Sequence, residues 1–563
     1  MTFNRSIAPL AVTAVCALAA ADAWRGRWVG DDAFISFRYA KNWVGGLGLV
    51  YNAGEQVEGY TNFLWTVLIG LFLELGLDPV GVSAALGVLC FAGTLGVLVA
   101  ASHWMRSEIE GAATQAFVPI AAVGWAACFH ARIYATSGLE TSLFTLLACL
   151  TIVGAGASRL PLHWALTGSA GVLAALTRPD GALLLGLAGL AALYQAARER
   201  KLGGVLAVSA PGLVLLVYAA WKLSFYGDLR PNTYYAKSAY LSWWDQGLLY
   251  LGYFFRSYWV LALGWPLAAL AATRGPTAGL QRTGALLAAA PALYLLYVAR
   301  VGGGFMFGRF CIPVAPLLLL GIEAGLLALP PLRARVLLVG AAVWLGMLFA
   351  PMPDLERGAQ LGISDEWRQY PPELVARSRT AGRAMKELLE GTEPTVVIYG
   401  YQAMLAYYGE FPAVIEGVTG LTDAAIAHMV ISERGRPGHE KKASPAYLQG
   451  RGVDFLFEFP IPLGPGGYTE IDFGPLKGRL VTYDRSLMAS LKQRGARFTD
   501  FEVLLDEYLA GVQGVPKEAL AADYATFRAY YFEHNVDPER EARFEAALAT
   551  ERAPAAPSPP PDP

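Results

Sequence analysis

A succession of apolar runs, each long enough to cross a bilayer, fills this sequence as far as Pro351 and then stops. The runs occupy roughly 79–104, 114–130, 139–157, 161–177, 180–197, 203–223, 246–272, 283–300, 310–329 and 335–351, and Ser6 to Trp24 adds about nineteen residues more. Hydrocarbon offers no water to an open backbone, so segments of this length must be helices. About eleven of them make residues 1–351 a polytopic α-helical membrane domain. The balance of 55% hydrophobic against 16% charged residues fits lipid as solvent for much of the chain. A net charge of −2, without a Lys/Arg stripe, excludes a nucleic-acid partner.

Two stretches need a second argument. Arg5, the apolar run after it and Ala21-Asp22-Ala23 also fit a cleavable signal peptide, but the run is long enough to stay as a first helix. Either way Asp31 emerges on the outer side. Asn62–Leu77 is apolar yet only about sixteen residues long, and loop charge decides its fate. If it does not cross, Arg106, Arg159, Arg198 to Lys201, Arg274, Arg282, Arg333 and Arg335 share one side, as cytoplasmic loops do. We therefore read 62–77 as an interfacial helix within an outer loop, 25–78. The outer side also receives loop 131–140, the turn at 178–180, loops 224–245 and 301–309, and everything after 352.

Residues 352–372 read as a linker broken by proline. Residues 373–550 read as a soluble α/β or α+β domain. Ala381, Met385, Leu388 and Leu389 share one helix face; strands are expected at 395–399, 413–418, 453–458 and 479–483, and helices near 422–432, 485–494 and 515–533. The Pro/Ala-rich tail 551–563 reads as disordered. All five cysteines lie in apolar runs, so this domain could occupy an oxidising compartment without a disulfide.

Chemistry-bearing residues collect in the outer loops. Asp31 and Asp32 open an amphipathic segment that carries Arg38 and Lys41. Aspartates there can cap a helix, or face a substrate beside a second acid. That acid is Glu140, in Ser137-Gly138-Leu139-Glu140-Thr141, which also matches a capping box. An ionisable side chain at a membrane boundary needs a partner or a substrate to offset desolvation. Arg178, Lys237 and Arg309 lie on neighbouring outer loops, where each could anchor the interface or hold an anion. His439 and Lys441 sit in the polar turn Arg434–Lys442, which otherwise reads as a solvated loop, and no Cys/His spacing indicates zinc.

In these blocks the chain resembles the GT-C class of membrane glycosyltransferases, in particular the terminal β-(1→2)-arabinofuranosyltransferase (AftB-like) family. The likeness covers most of the chain. It rests on Asp31-Asp32-Ala-Phe-Ile-Ser-Phe-Arg-Tyr-Ala, Val57-Glu58-Gly59-Tyr60-Thr61-Asn62, Ser137–Thr141, Thr177-Arg178-Pro179-Asp180-Gly181, Pro231-Asn232-Thr233-Tyr234-Tyr235-Ala236-Lys237 and Arg436-Pro437-Gly438-His439-Glu440-Lys441. Gly304 departs from the resemblance, since the family often carries an acid there. The resemblance implies a GT-C-like bundle at a bacterial inner membrane with its C-terminal domain extracytoplasmic. The implied reaction is inverting transfer of a sugar, such as arabinofuranose, from a polyprenyl-phosphate donor to a cell-envelope glycan or glycolipid.

A lipid phosphate is a good leaving group, so the protein need only deprotonate the acceptor, stabilise oxocarbenium character and hold the phosphate. The expected catalytic carboxylates are Asp31 as base, then Asp32 and Glu140. Arg178, Arg309, Lys237 and His439 would bind the phosphate; Arg38, Lys41, Glu58, Tyr60, Asn62, Tyr234 and Lys441 would line the substrate. No cofactor is required, although Asp31 and Asp32 could hold Mg²⁺ or Ca²⁺. Two rival readings are a flippase for lipid-linked glycans, which interrupted helices and internal repeats would favour, and a non-catalytic accessory protein with this fold.

Overall fold

The computed structural model describes residues 7–109, 118–330, 333–353, 355, 362–399, 402–457, 470–472, 477–498 and 500–550. The expected tail at 551–563 lies outside them. The chain forms two compact units, one made of 1–375 with 421–441 and the other of 376–420 with 442–563. The stretch 421–441, read from sequence as part of the soluble domain, thus packs with the membrane unit.

The membrane unit is helical throughout: α1 (Ile7–Arg25), α2 (Asp31–Val44), α3 (Phe63–Glu74), α4 (Pro79–Ser107), α5 (Ile120–Ala127), α6 (Phe129–Tyr134), α7 (Thr141–Ala157), α8 (Pro161–Thr177) and α9 (Gly181–Glu199). Then come α10 (Gly203–Ser209), α11 (Leu213–Tyr226), α12 (Asn232–Ala236), α13 (Trp244–Ser257), α14 (Gly264–Arg274), α15 (Ala278–Arg300), α16 (Ala315–Leu327) and α17 (Arg333–Leu348). Start signals are local. Asp78 accepts from the Gly81 amide at 2.9 Å ahead of Pro79, and Thr277 accepts from the Leu280 amide at 3.2 Å. Along α7 and α15, small residues admit close neighbours: α7 packs on α4, α8 and α15, and α15 on α14 and α16.

Among the described residues four helices are long and apolar enough to span: α4, Gly203–Tyr226, α9 and α15. Several of the other expected spans are shorter, such as Thr141–Ala157 and Ile312–Leu327. Two expected spans are broken. The run 246–272 is a pair of helices, Trp244–Ser257 and Trp259–Arg274, bent by 99°. The chain turns at Tyr258 (φ −108°, ψ 48°) and passes through a 3₁₀ turn at Trp259–Leu263 before α14, whose first turn accommodates Pro266. The run at 114–130, described from 118, divides at Cys128 into α5 and α6, because Cys128 adopts an extended ψ of 110°. The helix in 62–77 is Phe63–Glu74, whose 12 residues rise about 18 Å and fall short of the hydrocarbon thickness.

Among the described residues the second unit is built on a mixed six-stranded sheet: β1 (Thr395–Ile398), β2 (Ala413–Glu416), β3 (Phe455–Phe457), β4 (Glu470–Asp472), β5 (Lys477–Leu480) and β6 (Arg497–Phe498), in the order β2-β1-β3-β5-β4-β6. β1 pairs parallel with β2 and β3, and the remaining pairs are antiparallel. β4 and β6 have no counterpart in the sequence reading, because two or three residues carry no detectable alternation. The helix expected near 422–432 is only Ala424–Ala427, capped by Asp423.

Candidate functional site

The loops that charge had assigned to one side of the membrane meet in one cavity of about 290 Å³, within the membrane unit. It is lined by the start of α2, loop 59–62, Glu140, the turn 178–180, the residues after α12, the loop from Gly303 to Phe310, and part of 421–441.

Its floor is an ion cluster around Glu140. Arg309 Nη2 donates to Glu140 Oε1 at 3.0 Å and Arg178 Nη1 to the same oxygen at 3.3 Å; Asn62 Nδ2 donates to Oε2 at 3.1 Å. Burial would push the Glu140 carboxyl up, but the guanidiniums of Arg309 and Arg178 outweigh it and hold it below its ordinary range. Arg178 also forks onto Asp180, at 3.1 Å from Nε and 2.9 Å from Nη2, while the Tyr294 hydroxyl donates to Asp180 at 2.8 Å. The Arg178 guanidinium lies 4.6 Å from the Phe310 ring centre. Ser137 is not a helix cap: α7 begins at Thr141 with Glu140 at its N-cap position, and no side chain caps it. The capping-box reading therefore fails, because the Glu140 carboxylate is turned to the arginines.

At the start of α2 the cap position belongs to Gly30, with no side-chain cap. Asp32, Ile35 and Ser36 line the cavity; Asp31 is buried and does not. The reason is helical geometry, since consecutive residues point about 100° apart and one rotation cannot aim both carboxylates at the same space. Among the described residues Asp32 forms no hydrogen bond or ion pair. Across the cavity Lys237 follows α12, and its ammonium likewise has no hydrogen bond or ion pair among the described residues. Its side chain is accessible, but to the cavity rather than to open solvent. Enclosure by protein lowers its proton affinity, Asp32 opposes that shift, and Arg309 and Arg178 add to it.

The other residues singled out in the sequence divide in two. Tyr60, Asn62, Tyr234, Arg178 and Arg309 line the cavity. Arg38, Lys41, Glu58, His439 and Lys441 do not. Arg38 donates to the Tyr51 carbonyl at 2.9 Å, Glu58 pairs with Lys222 at 2.7 Å, and Lys441 donates to the Met429 carbonyl. His439 packs edge-on against Phe305 at 5.0 Å with Nδ1 3.3 Å from the Pro437 carbonyl; burial and Arg436 hold it below the ordinary histidine value, against Asp32.

Sequence reasoning missed Asp180 and the pair Arg434–Glu440. Asp180 carries the signal that flagged Glu140, an acid at a membrane boundary. Arg434 and Glu440, 2.9 Å apart, both line the cavity, and Arg434 lies 4.8 Å from the Trp243 ring. Only the return of 421–441 to the membrane unit brings them there.

The loop beyond α15 is shaped by two glycines. Gly303 has φ +67°, and a Cβ on it would meet the Tyr250 ring at 2.5 Å. A Cβ on Gly304 would meet Phe310 at 2.5 Å, so the Phe310 ring takes the room an acid would need there. Among the described residues no three His, Cys, Asp or Glu side chains converge as a metal site.

This fold is that of the GT-C membrane glycosyltransferases. ArnT from Cupriavidus metallidurans, solved bound to undecaprenyl phosphate, matches it with a TM-score of 0.51 over 74% of this chain and 87% of that chain, at 14% identity. Sequence likeness narrows the kinship. The chain is a homologue of two proteins named terminal beta-(1->2)-arabinofuranosyltransferase: that of Mycobacterium tuberculosis (strain ATCC 25618 / H37Rv), 32% identical over 64% of this chain and 65% of that protein, and that of Corynebacterium glutamicum, 32% identical over 51% and 46%. The matches thus span less than two thirds of either relative. No family model matches the chain.

Proposed function

We propose that this protein is an inverting glycosyltransferase that moves a sugar of the pentofuranose class, such as arabinofuranose, from a polyprenyl-phosphate donor to a cell-envelope glycan or glycolipid at the outer face of the inner membrane. The observation that carries this reading is one cavity holding a carboxylate, Asp32, and an ammonium, Lys237, neither paired among the described residues. Around them Arg178 and Arg309 are clasped by the carboxylates Glu140 and Asp180, and Arg434 by Glu440, so the lining balances as four cations against four carboxylates, with Lys237 and Asp32 the two charges held in no ion pair among the described residues.

In this reading the donor phosphate binds beside Lys237, which is held in no ion pair among the described residues, with Arg309 at the edge of the clasped cluster. Asp32 removes the proton of the acceptor hydroxyl as its oxygen bonds the anomeric carbon, and the bond to the lipid phosphate breaks on the opposite face. The departing phosphate gains negative charge, which the fixed cations stabilise without reorganising. Two successive inversions would need a protein nucleophile, and one displacement does not. A divalent cation, if the enzyme uses one, would draw on Asp32 and the donor phosphate, because Asp31 does not line the cavity. The transporter reading finds less support. Discontinuous helices in transporters carry the binding site, whereas no residue at the break between α13 and α14 lines this cavity.

The deciding experiment incubates the purified full chain with a panel of polyprenyl-phosphate sugars and an arabinan acceptor and reads free polyprenyl phosphate by mass spectrometry. Release is expected from the arabinofuranosyl donor, dependent on acceptor and absent in Asp32→Asn. Release from no donor, or release unaffected by Asp32→Asn, would overturn the proposal.

A further inference from the structure

A second cavity, of about 960 Å³, lies at the opposite ends of the helices that frame the first. The turn before α9 and the last turn of α15 line the first cavity; the end of α9 and the start of α15 line the second. The 19 residues of α9 rise about 28 Å, roughly the thickness of a bilayer core, so the two cavities face opposite membrane surfaces.

The lining changes character along both helices in the same direction. On α9 the deeper wall is Leu187, Leu190 and Ala191, and the outer wall is Tyr194, Gln195 and Arg198. On α15 the deeper wall is Ala285, Leu286 and Ala289, and the outer wall is Gln281 and Arg282. Because the two helices are antiparallel, both polar ends fall at one membrane surface. Leucines and alanines line the end toward the middle, and tyrosine, glutamine and arginine side chains line the end at the surface. That is the polarity pattern of an amphiphile with its head at the interface.

Charge selects the head. Arg159, Arg198 and Arg282 face Glu108 and Glu199, which leaves a balance of +1. Glu108 is taken up by Arg159, at 2.5 and 2.6 Å, and Glu199 accepts from Gln195 at 2.8 Å. Arg198 donates to the Tyr194 hydroxyl at 3.1 Å, and Arg282 to the Gly156 and Ser158 carbonyls and Gln195. Among the described residues, therefore, neither Arg198 nor Arg282 has a carboxylate partner. We propose that this cavity binds one anionic phospholipid, its phosphodiester at Arg198 and Arg282 and an acyl chain at the apolar end beside Ala289. The lipid comes from the leaflet opposite the sugar-transfer cavity, and the site stands whether or not the transfer reading does.

Native mass spectrometry of the detergent-purified full chain, given equal phosphatidylglycerol and phosphatidylcholine, tests this directly. One phosphatidylglycerol should be retained in clear preference to phosphatidylcholine. Arg198→Gln, on an exposed side chain, should weaken retention about fivefold, the effect of one basic residue near an anionic lipid. Ala289→Phe should abolish it by filling the apolar end, while the melting temperature without lipid stays near that of the parent. Equal retention of the two lipids, or undiminished phosphatidylglycerol in both variants, would overturn the proposal. So would displacement of phosphatidylglycerol by equimolar undecaprenyl phosphate, which would make this a polyprenyl site.

Discussion

Arg309 Nη2 lies 3.0 Å from the Glu140 carboxylate, joining residues 169 positions apart in the chain. Arg178 reaches the same oxygen, so a single carboxylate holds two guanidiniums together. The floor of the cavity is therefore rigid before any substrate arrives, which is what stabilisation of a developing phosphate charge requires.

Removing the charge of Glu140 should be felt first as lost stability. Glu140→Gln leaves both guanidiniums facing a neutral amide in a buried place, a change worth on the order of 3–5 kcal/mol. Thermal unfolding in detergent measures it, and an unchanged melting temperature would show that water already screens the cluster. Arg309→Ala and Arg178→Ala should in addition weaken donor binding or turnover by on the order of 2–5 kcal/mol, as buried phosphate partners do. Unchanged kinetics in both variants would make these residues structural only.

Asp32→Asn should reduce transfer at least about 100-fold, the lower end of what a general base contributes, with melting and donor binding retained. Asp31→Asn should be milder, because Asp31 does not line the cavity. A simple helix-terminus role predicts active, stable proteins in both cases, since asparagine serves a helix start about as well as aspartate. Turnover measured beside melting temperature separates these outcomes.

Burial pushes the Glu58 carboxyl up to about 7, with the Lys222 ammonium 2.7 Å away opposing it only in part. A raised carboxyl means that the native state holds its proton more tightly than the unfolded chain does. The stabilisation is complete below the ordinary value of 4.5 and is lost as pH rises through about 7. The stability of the parent relative to Glu58→Gln should thus fall by on the order of 3 kcal/mol between these limits. Unfolding of both proteins at a series of pH values checks the slope; a flat difference would place the Glu58 carboxyl near its ordinary value.

Sidedness is testable without chemistry. A cysteine at Ser444 should react with an impermeant maleimide in intact cells, and one at Arg200 only after the membrane is opened, because the arginine-rich loops belong inside. The reverse pattern would invert the whole arrangement.

Much of this protein follows from local order along the chain. Runs of apolar residues dictate helices because lipid leaves the backbone no other partner, and loop charge sorted 25–61, 131–140, 178–180, 224–245 and 301–309 to one side, where they line one cavity. The short helix Phe63–Glu74 was legible from the length of its run together with loop charge. Three things were not. Which of Asp31 and Asp32 faces the cavity depends on the rotation of α2, which its packing on α3 fixes and composition cannot. The break between α13 and α14 sits in a run whose hydropathy is continuous, so hydropathy passes over it. The return of 421–441, which carries Arg434 and Glu440 to the cavity, depends on contacts with residues some two hundred positions earlier, such as Asn232 Nδ2 donating to the Leu421 carbonyl at 2.8 Å. Apolar periodicity and loop charge are properties of neighbours in sequence, whereas a site is made by neighbours in space.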